Sequence, residues 1–140
     1  MVLLGRRKEE LNTAVSEIEA EGGKAASISA NLAHREALAE IAEQASTPFG
    51  GIDILINAAG VNLRQSVEQI TFESWDQTLN LNLAIPFFLA RELVPLMASR
   101  GWGRIINIAS LQSSRAFENG LAYGASKGGV AQLTRAMAEA

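Results

Sequence analysis

An α/β fold, with a parallel sheet covered by helices on both faces, is what this sequence predicts. Three observations lead there. Apolar runs alternate with amphipathic segments along the whole chain. Gly- and Pro-containing turns separate them. The candidate strands are nearly continuously apolar, as strands buried on both faces are. The length of 140 residues suits one domain, 1–140. An apolar share of 48% with 19% charged residues is an ordinary globular balance.

Val2-Leu3-Leu4 is a short buried strand. Leu11, Ala14, Val15 and Ile18 then recur at helical spacing, and Gly22-Gly23 stops that helix. Ala25 to Ser29 reads as a second strand. Leu38, Ile41, Ala42 and Ala45 give a second amphipathic helix, ended by Thr47-Pro48 and the Gly50-Gly51 pair. Ile52 to Asn57 is a third strand. Thr71 is suited to cap a long helix containing Trp75, Leu79, Leu83 and Leu89, with Glu73 in its first turn. Pro86 and Pro95 fall inside that helix and should bend or interrupt it. Gly101-Trp102-Gly103 turns the chain into a fourth strand, Arg104 to Ala109, which Ser110 closes. A last helix runs from about Ala122 to the final residue. Phe87-Phe88 reads as core or subunit-contact packing, and His34 as an exposed helix-start residue with no role.

Composition removes several functions. The net charge of −3, without a basic stripe, leaves no electrostatic footprint for nucleic acid or an anionic membrane. With no cysteine and one histidine, disulfides, thiolate metal sites and histidine clusters are excluded. No apolar run in the sequence approaches the ~20 residues of a membrane span. The first residues do not read as a signal peptide, because Met1-Val2-Leu3-Leu4 precedes the charges of Arg6-Arg7-Lys8. A soluble cytoplasmic protein is the expectation.

In a doubly wound sheet, ligands collect beyond the carboxyl ends of the strands. Three polar motifs fall there: Gly5-Arg6-Arg7, Asn57-Ala58-Ala59-Gly60 and Ser110. Thirteen positions after Ser110 comes Tyr123-Gly124-Ala125-Ser126-Lys127. On one helix Tyr123 and Lys127, four apart, share a face. A nearby ammonium favours the phenolate form of a phenol. With a serine hydroxyl aimed at the same point, such a pair can move a proton to or from a carbinol oxygen. This is carbonyl/alcohol redox chemistry. Ser113 and Ser114 lie past the strand end and read as loop residues.

With these motifs in order, the chain resembles the short-chain dehydrogenase/reductase family over essentially every residue. The marks are Asn57-Ala58-Ala59-Gly60, Asn82 in the run Trp75 to Leu83, Ser110, and Tyr123-x-x-x-Lys127. Asn82, seven after Trp75 and just before Leu83, fits the pattern better than Asn80. The resemblance implies a Rossmann-like doubly wound sheet and an NAD(P)-dependent oxidoreductase. It implies Tyr123 as general acid/base, and Lys127 as the group that lowers its pKa and holds the nicotinamide ribose. Ser110 would hydrogen-bond the substrate oxygen. Asn82, at a helix irregularity, would anchor a water on a proton path. Asn57, Ala58, Ala59 and Gly60 would pack along the cofactor. It also implies a homodimer or homotetramer, with a small alcohol or ketone as substrate.

An NAD site of this fold usually has an acidic residue after the second strand. Val2-Leu3-Leu4 corresponds to that second strand of the family, and Gly5, Arg6 and Arg7 follow it, so NADP is the expected cofactor, with Arg6 at its 2′-phosphate and NAD the alternative. Asn31 replaces the aspartate the family often has near the adenine.

The family's opening strand and glycine-rich turn are not present before Val2, and its later strands do not follow Tyr123's helix. The expected sheet is therefore incomplete, the central first strand and the last strands missing. The chain reads as an internal portion of a protein of ~250 residues, inactive or nearly so when isolated. Similarities around Ser110 and Tyr123 point to sugar acids or polyols, and 3-oxoacyl reductases share the pattern. The alternatives are a non-catalytic remnant that associates with longer relatives, and a nucleotide-sugar epimerase, whose turn at this place usually differs from Asn57-Ala58-Ala59-Gly60.

Overall fold

Strands and helices alternate in the computed structural model, which describes all 140 residues, Met1–Ala140. The regular elements are β1 (Val2–Gly5), α1 (Lys8–Ala20), β2 (Ala26–Ser29), α2 (Leu38–Ser46), β3 (Ile54–Asn57), α3 (Phe72–Leu79), α4 (Ile85–Ser99), β4 (Arg104–Asn107) and α5 (Leu121–Ala138). The strands form two parallel pairs, β1 with β2 and β3 with β4, with no further strand in either sheet. This is the α/β class the sequence predicts, with an incomplete sheet. The chain divides into two units: Met1–Asp53 with Arg91–Gly103, and Ile54–Ala90 with Arg104–Ala140.

In the first unit β1 and β2 pair from Val2↔Ala26 to Gly5↔Ser29. Helix α1 joins them as a crossover, and Ser27 Oγ donates to Asn12 Oδ1 at 3.1 Å. The helix stops where the diglycine predicts. Gly22 takes φ +84°, a left-handed conformation open to a residue without Cβ, and Gly23 N–H closes on the Ile18 carbonyl at 2.9 Å. Buried Leu38, Ile41 and Ala42 of α2, with Leu93 and Met97 of α4, supply this unit's core.

In the second unit β3 and β4 pair from Ile54↔Arg104 to Asn57↔Asn107. Both strands are shorter than the apolar runs suggest. The third starts at Ile54 instead of Ile52, because Gly50 and Gly51 turn the chain at positive φ just before it. The fourth ladder ends at Asn107, although Ile108 N–H still reaches the Asn57 carbonyl at 3.1 Å.

Sheet coverage departs from expectation. Asn57 and Asn107 lie on one face, where Asn57 Nδ2 donates to the Pro86 carbonyl and Asn107 Nδ2 to Thr134 Oγ1 of α5. Helices therefore cover that face. The other face presents Ile54 (50% exposed), Ile56 (58%), Ile106 (45%) and Ile108 (47%). The pair is covered on one face, not on both.

Thr71 caps α3 as predicted. Its Oγ1 accepts the Ser74 N–H at 3.2 Å, and Ser74 Oγ accepts the Thr71 N–H at 3.0 Å. Between α3 and α4 the chain widens into a π-helical segment, Asn80–Ala84. Pro86 accounts for it: a proline has no N–H to offer the carbonyl four residues back, here that of Asn82. Pro95, by contrast, stays inside an unbroken α4. It and Arg91, four residues back, are both on the exposed side of the helix, where the loss of one backbone donor is least costly. From Phe72 to Ser99 the helical run is long and apolar enough to cross a bilayer, contrary to the sequence-based expectation. Its buried positions Thr78, Asn82, Ile85, Leu89, Leu93 and Met97 recur every three or four residues, which is the stripe of a core helix.

Candidate active site

Asn82, Ser110, Tyr123 and Lys127 all belong to the second unit. Asn82 is 1% exposed, and its amide is fully engaged. Oδ1 accepts the Val61 N–H at 2.8 Å, while Nδ2 donates to the Val61 carbonyl at 2.8 Å and to Ser126 Oγ at 3.0 Å. Ser126 Oγ in turn donates to the Tyr123 carbonyl at 2.7 Å. One carboxamide thus ties the loop after β3 to the first turns of α5. With its side chain consumed this way, Asn82 has only its backbone carbonyl to offer a water, and Pro86 leaves that carbonyl without an α-helical donor.

Tyr123 and Lys127 stand one turn apart on α5, and Lys127 Nζ lies 5.7 Å from the Tyr123 ring centroid. Lys127 is 5% exposed. Its Nζ donates to the Ile108 carbonyl at 2.6 Å, which uses one of three N–H donors. Burial holds its pKa below the ordinary lysine value, because removing an ammonium from water disfavours the charged form. The Tyr123 hydroxyl makes no hydrogen bond within the chain.

Ser110 is the N-cap of a short 3-10 turn, Leu111–Ser113. Its Oγ accepts the Gln112 N–H at 3.2 Å, which leaves its own proton available. Its N–H reaches Ser113 Oγ at 3.4 Å, and that hydroxyl donates to the Lys127 carbonyl at 2.9 Å. Ser113, read from sequence as a loop residue, is therefore the clasp between the strand tip and α5. Ser126 was also not singled out from sequence; its place between Tyr123 and Lys127 was the available signal.

Of the four residues after β3, Asn57 turns inward: its Nδ2 donates to Asn107 Oδ1 at 2.8 Å. Any ligand contact at this position falls to its backbone. Ala58, Ala59 and Gly60 are exposed and offer almost no side chain. A Cβ at Gly60 would stand 3.2 Å from Asn82 Oδ1 and 3.9 Å from Lys127 Nζ. Glycine there keeps a backbone strip open beside the lysine.

Arg6 and Asn31 belong to the first unit. Arg7 forms an ion pair with Glu10 at 3.0 Å, a local explanation for a cation at that helix start. Arg6 makes no ion pair and is exposed just past β1. Asn31 follows β2 and uses Oδ1 to accept the Ala33 N–H at 3.1 Å, leaving its amide N–H groups outward. His34 is exposed at the start of a short 3-10 turn and lies 3.4 Å from Glu36.

The arrangement has counterparts. A family model described as short chain dehydrogenase matches residues 1–140. Gluconate 5-dehydrogenase of Gluconobacter oxydans is 37% identical over 99% of this chain and 54% of its own length. D-beta-hydroxybutyrate dehydrogenase of Rhizobium meliloti is 38% identical over 78% of this chain and 42% of its own. The chain therefore spans about half the length of the curated relatives it matches. Among solved structures, a metagenomic short-chain oxidoreductase in complex with NADP superposes with a TM-score of 0.93 at 36% identity, covering 99% of this chain and 63% of that one. A gluconate 5-dehydrogenase from Burkholderia cenocepacia, in complex with NADP and tartrate, gives 0.88 at 31% identity over 97% of this chain and 53% of that one. Matched along its whole sequence and folded as solved members are, the chain belongs to the short-chain dehydrogenase family of oxidoreductases.

Proposed function

We propose that this chain carries the proton-transfer machinery of an enzyme interconverting a secondary alcohol and a ketone with NADP(H). One observation carries the reading. Lys127 is a buried ammonium 5.7 Å from the ring of a tyrosine whose hydroxyl has no partner in the chain, and two of its three donors are unspent after Ile108. A lysine kept in so costly a place needs a role beyond one carbonyl. Those two donors fit the hydroxyls of a nicotinamide ribose, and the exposed Ala58-Ala59-Gly60 strip lets a cofactor approach backbone. Arg6 would meet a 2′-phosphate, and Asn31 the adenine end; NAD(H) is the alternative if Arg6 has no such role. Bound NADP(H) supplies the hydride.

In the ketone-reducing direction the substrate oxygen gains negative charge. Ser110 Oγ, whose proton is uncommitted, donates a hydrogen bond to it. Tyr123 transfers its hydroxyl proton to the same oxygen, and the Lys127 ammonium offsets the charge left on the phenol. Asn82 positions Tyr123 by holding Ser126, whose hydroxyl bonds the Tyr123 carbonyl. Relatives named for gluconate and hydroxybutyrate support a hydroxy-acid substrate, with polyols and 3-oxoacyl compounds as alternatives. We assign the enzyme to the cytoplasm as a homodimer or homotetramer, and the exposed Phe87 and Val94 of α4 support the assembly.

A second reading is a non-catalytic chain that acts by associating with longer relatives; the exposed isoleucine face of β3 and β4 favours it. One experiment separates the two. Oxidation of gluconate and 3-hydroxybutyrate is followed by nicotinamide absorbance in the protein containing this chain. Tyr123→Phe is expected to lower turnover about 10²–10⁴-fold. Turnover that survives this change rules out the proton-transfer role, and none in the wild type leaves the associating chain as the reading.

A further inference from the structure

Two further serines join Asn82, Ser110, Tyr123 and Lys127 in pairs. Ser126 Oγ accepts from Asn82 Nδ2 at 3.0 Å and donates to the Tyr123 carbonyl at 2.7 Å. Ser113 Oγ accepts the Ser110 N–H at 3.4 Å and donates to the Lys127 carbonyl at 2.9 Å. Each hydroxyl spends its proton on a carbonyl of α5, one helical turn from the other. A carbonyl oxygen has two lone pairs, so such a bond adds to the helix ladder without breaking it. Ser126 lies within α5 and binds its own turn. Ser113 comes from outside that helix, from the turn that Ser110 caps, and ties a separate segment to it.

The Ser113 tie matters because its neighbour is made by Lys127 itself, whose Nζ donates to the Ile108 carbonyl at 2.6 Å, two residues before Ser110. An ammonium that also serves a ribose and a phenol has competing demands on its donors, and its flexible four-carbon stem fixes backbone poorly. The short Ser113 side chain instead bonds the main chain of Lys127, whatever the ammonium binds. Ser110 is gripped from the same residue. Ser113 N–H closes on the Ser110 carbonyl at 3.0 Å, beside the bond from Ser110 N–H to Ser113 Oγ. We propose that Ser113 is a positioning residue of this site, its hydroxyl setting the spacing between Ser110 and the α5 turn that bears Tyr123 and Lys127. It acts through their backbone and needs no contact with substrate or cofactor. This deepens the proton-transfer reading and rests on it. A misplacement on the order of 1 Å at reacting groups costs about 10²-fold in rate.

Ser113→Ala removes the hydroxyl and leaves Ser110, Tyr123 and Lys127 in place. It is compared with Ser113→Thr, which keeps a hydroxyl, and with Thr71→Ala, which loses a helix cap outside the site. Turnover per folded molecule and the KM values of NADP and of gluconate or 3-hydroxybutyrate are measured in the protein containing this chain, beside denaturant stability. Ser113→Ala should lower kcat roughly 10–10²-fold with the KM values little changed, the pattern of lost transition-state alignment. Ser113→Thr should recover most of kcat, and Thr71→Ala should lower stability without lowering kcat. Wild-type kcat in Ser113→Ala, or a loss confined to stability, overturns the positioning role and leaves the proton-transfer reading standing. Turnover absent from the wild type overturns both. Where Ser113→Ala does not fold, Ser113→Cys, with its weaker donor, is expected to give an intermediate kcat, and a wild-type kcat there overturns the role.

Discussion

At Lys127 the chain keeps an ammonium where burial disfavours charge. The consequence for stability has a definite sign. The unfolded chain holds this proton more tightly than the folded one, so folding becomes more favourable as pH rises through the window between the two pKa values. That gain is complete above the ordinary lysine value and disappears as pH falls through the lowered one. Urea midpoints across the alkaline range should therefore rise for the wild type relative to Lys127→Met, which has no proton to lose. A difference between the two proteins that stays constant with pH would show that burial is not what shifts this lysine. Asn82 illustrates the opposite economy: every polar atom of its side chain is bonded, so it specifies geometry and carries no charge into the interior.

Among the elements, the helical run from Phe72 to Ser99 does most to position the site. Its start is fixed by the reciprocal bonds of Thr71 and Ser74. The Glu73 carboxylate is held below the usual range, first by its own backbone N–H and then by Thr71, as suits an acid in a helix's first turn. Thr71→Ala should cost about 1 kcal/mol in denaturant unfolding, with Thr71→Ser recovering most of it. Equal stability of all three proteins would mean the cap contributes nothing. Further along, the π segment brings Asn82 and Leu83 against α5. A Cβ at Gly129 would stand 2.9 Å from Leu83 Cδ2, the tip of a flexible side chain that can turn aside to make room for it.

On the scale of the whole molecule, each sheet is a single parallel pair, and four isoleucines of the second pair face outward. Unpaired ladder edges and an exposed apolar face are both routes to association. The 140-residue polypeptide is expected to self-associate in sedimentation velocity. Ile56→Lys combined with Ile106→Glu, directly opposite in register, should suppress this while adding a cross-strand charge pair. Undiminished association of the double variant would place the contact elsewhere. The curated relatives run about twice as long as this chain, so the whole enzyme's substrates and assembly are matters for the protein at that length.

Local pattern alone determined a good deal here. The α/β class, the diglycine helix stop, the Thr71 cap and the disturbance at Pro86 were legible because each depends on residues a few positions apart, through periodicity, a missing side chain or a missing N–H. Other features were decided only in three dimensions. Which sheet face stays bare depends on where helices distant in sequence pack. So does the clasp of Ser113 on Lys127, and the inward turn of Asn57 toward Asn107, fifty residues away. The small cleft beside Tyr123, whose wall joins Arg64 to Asn119, could not be read either, since those residues are far apart in sequence and only the fold brings them together.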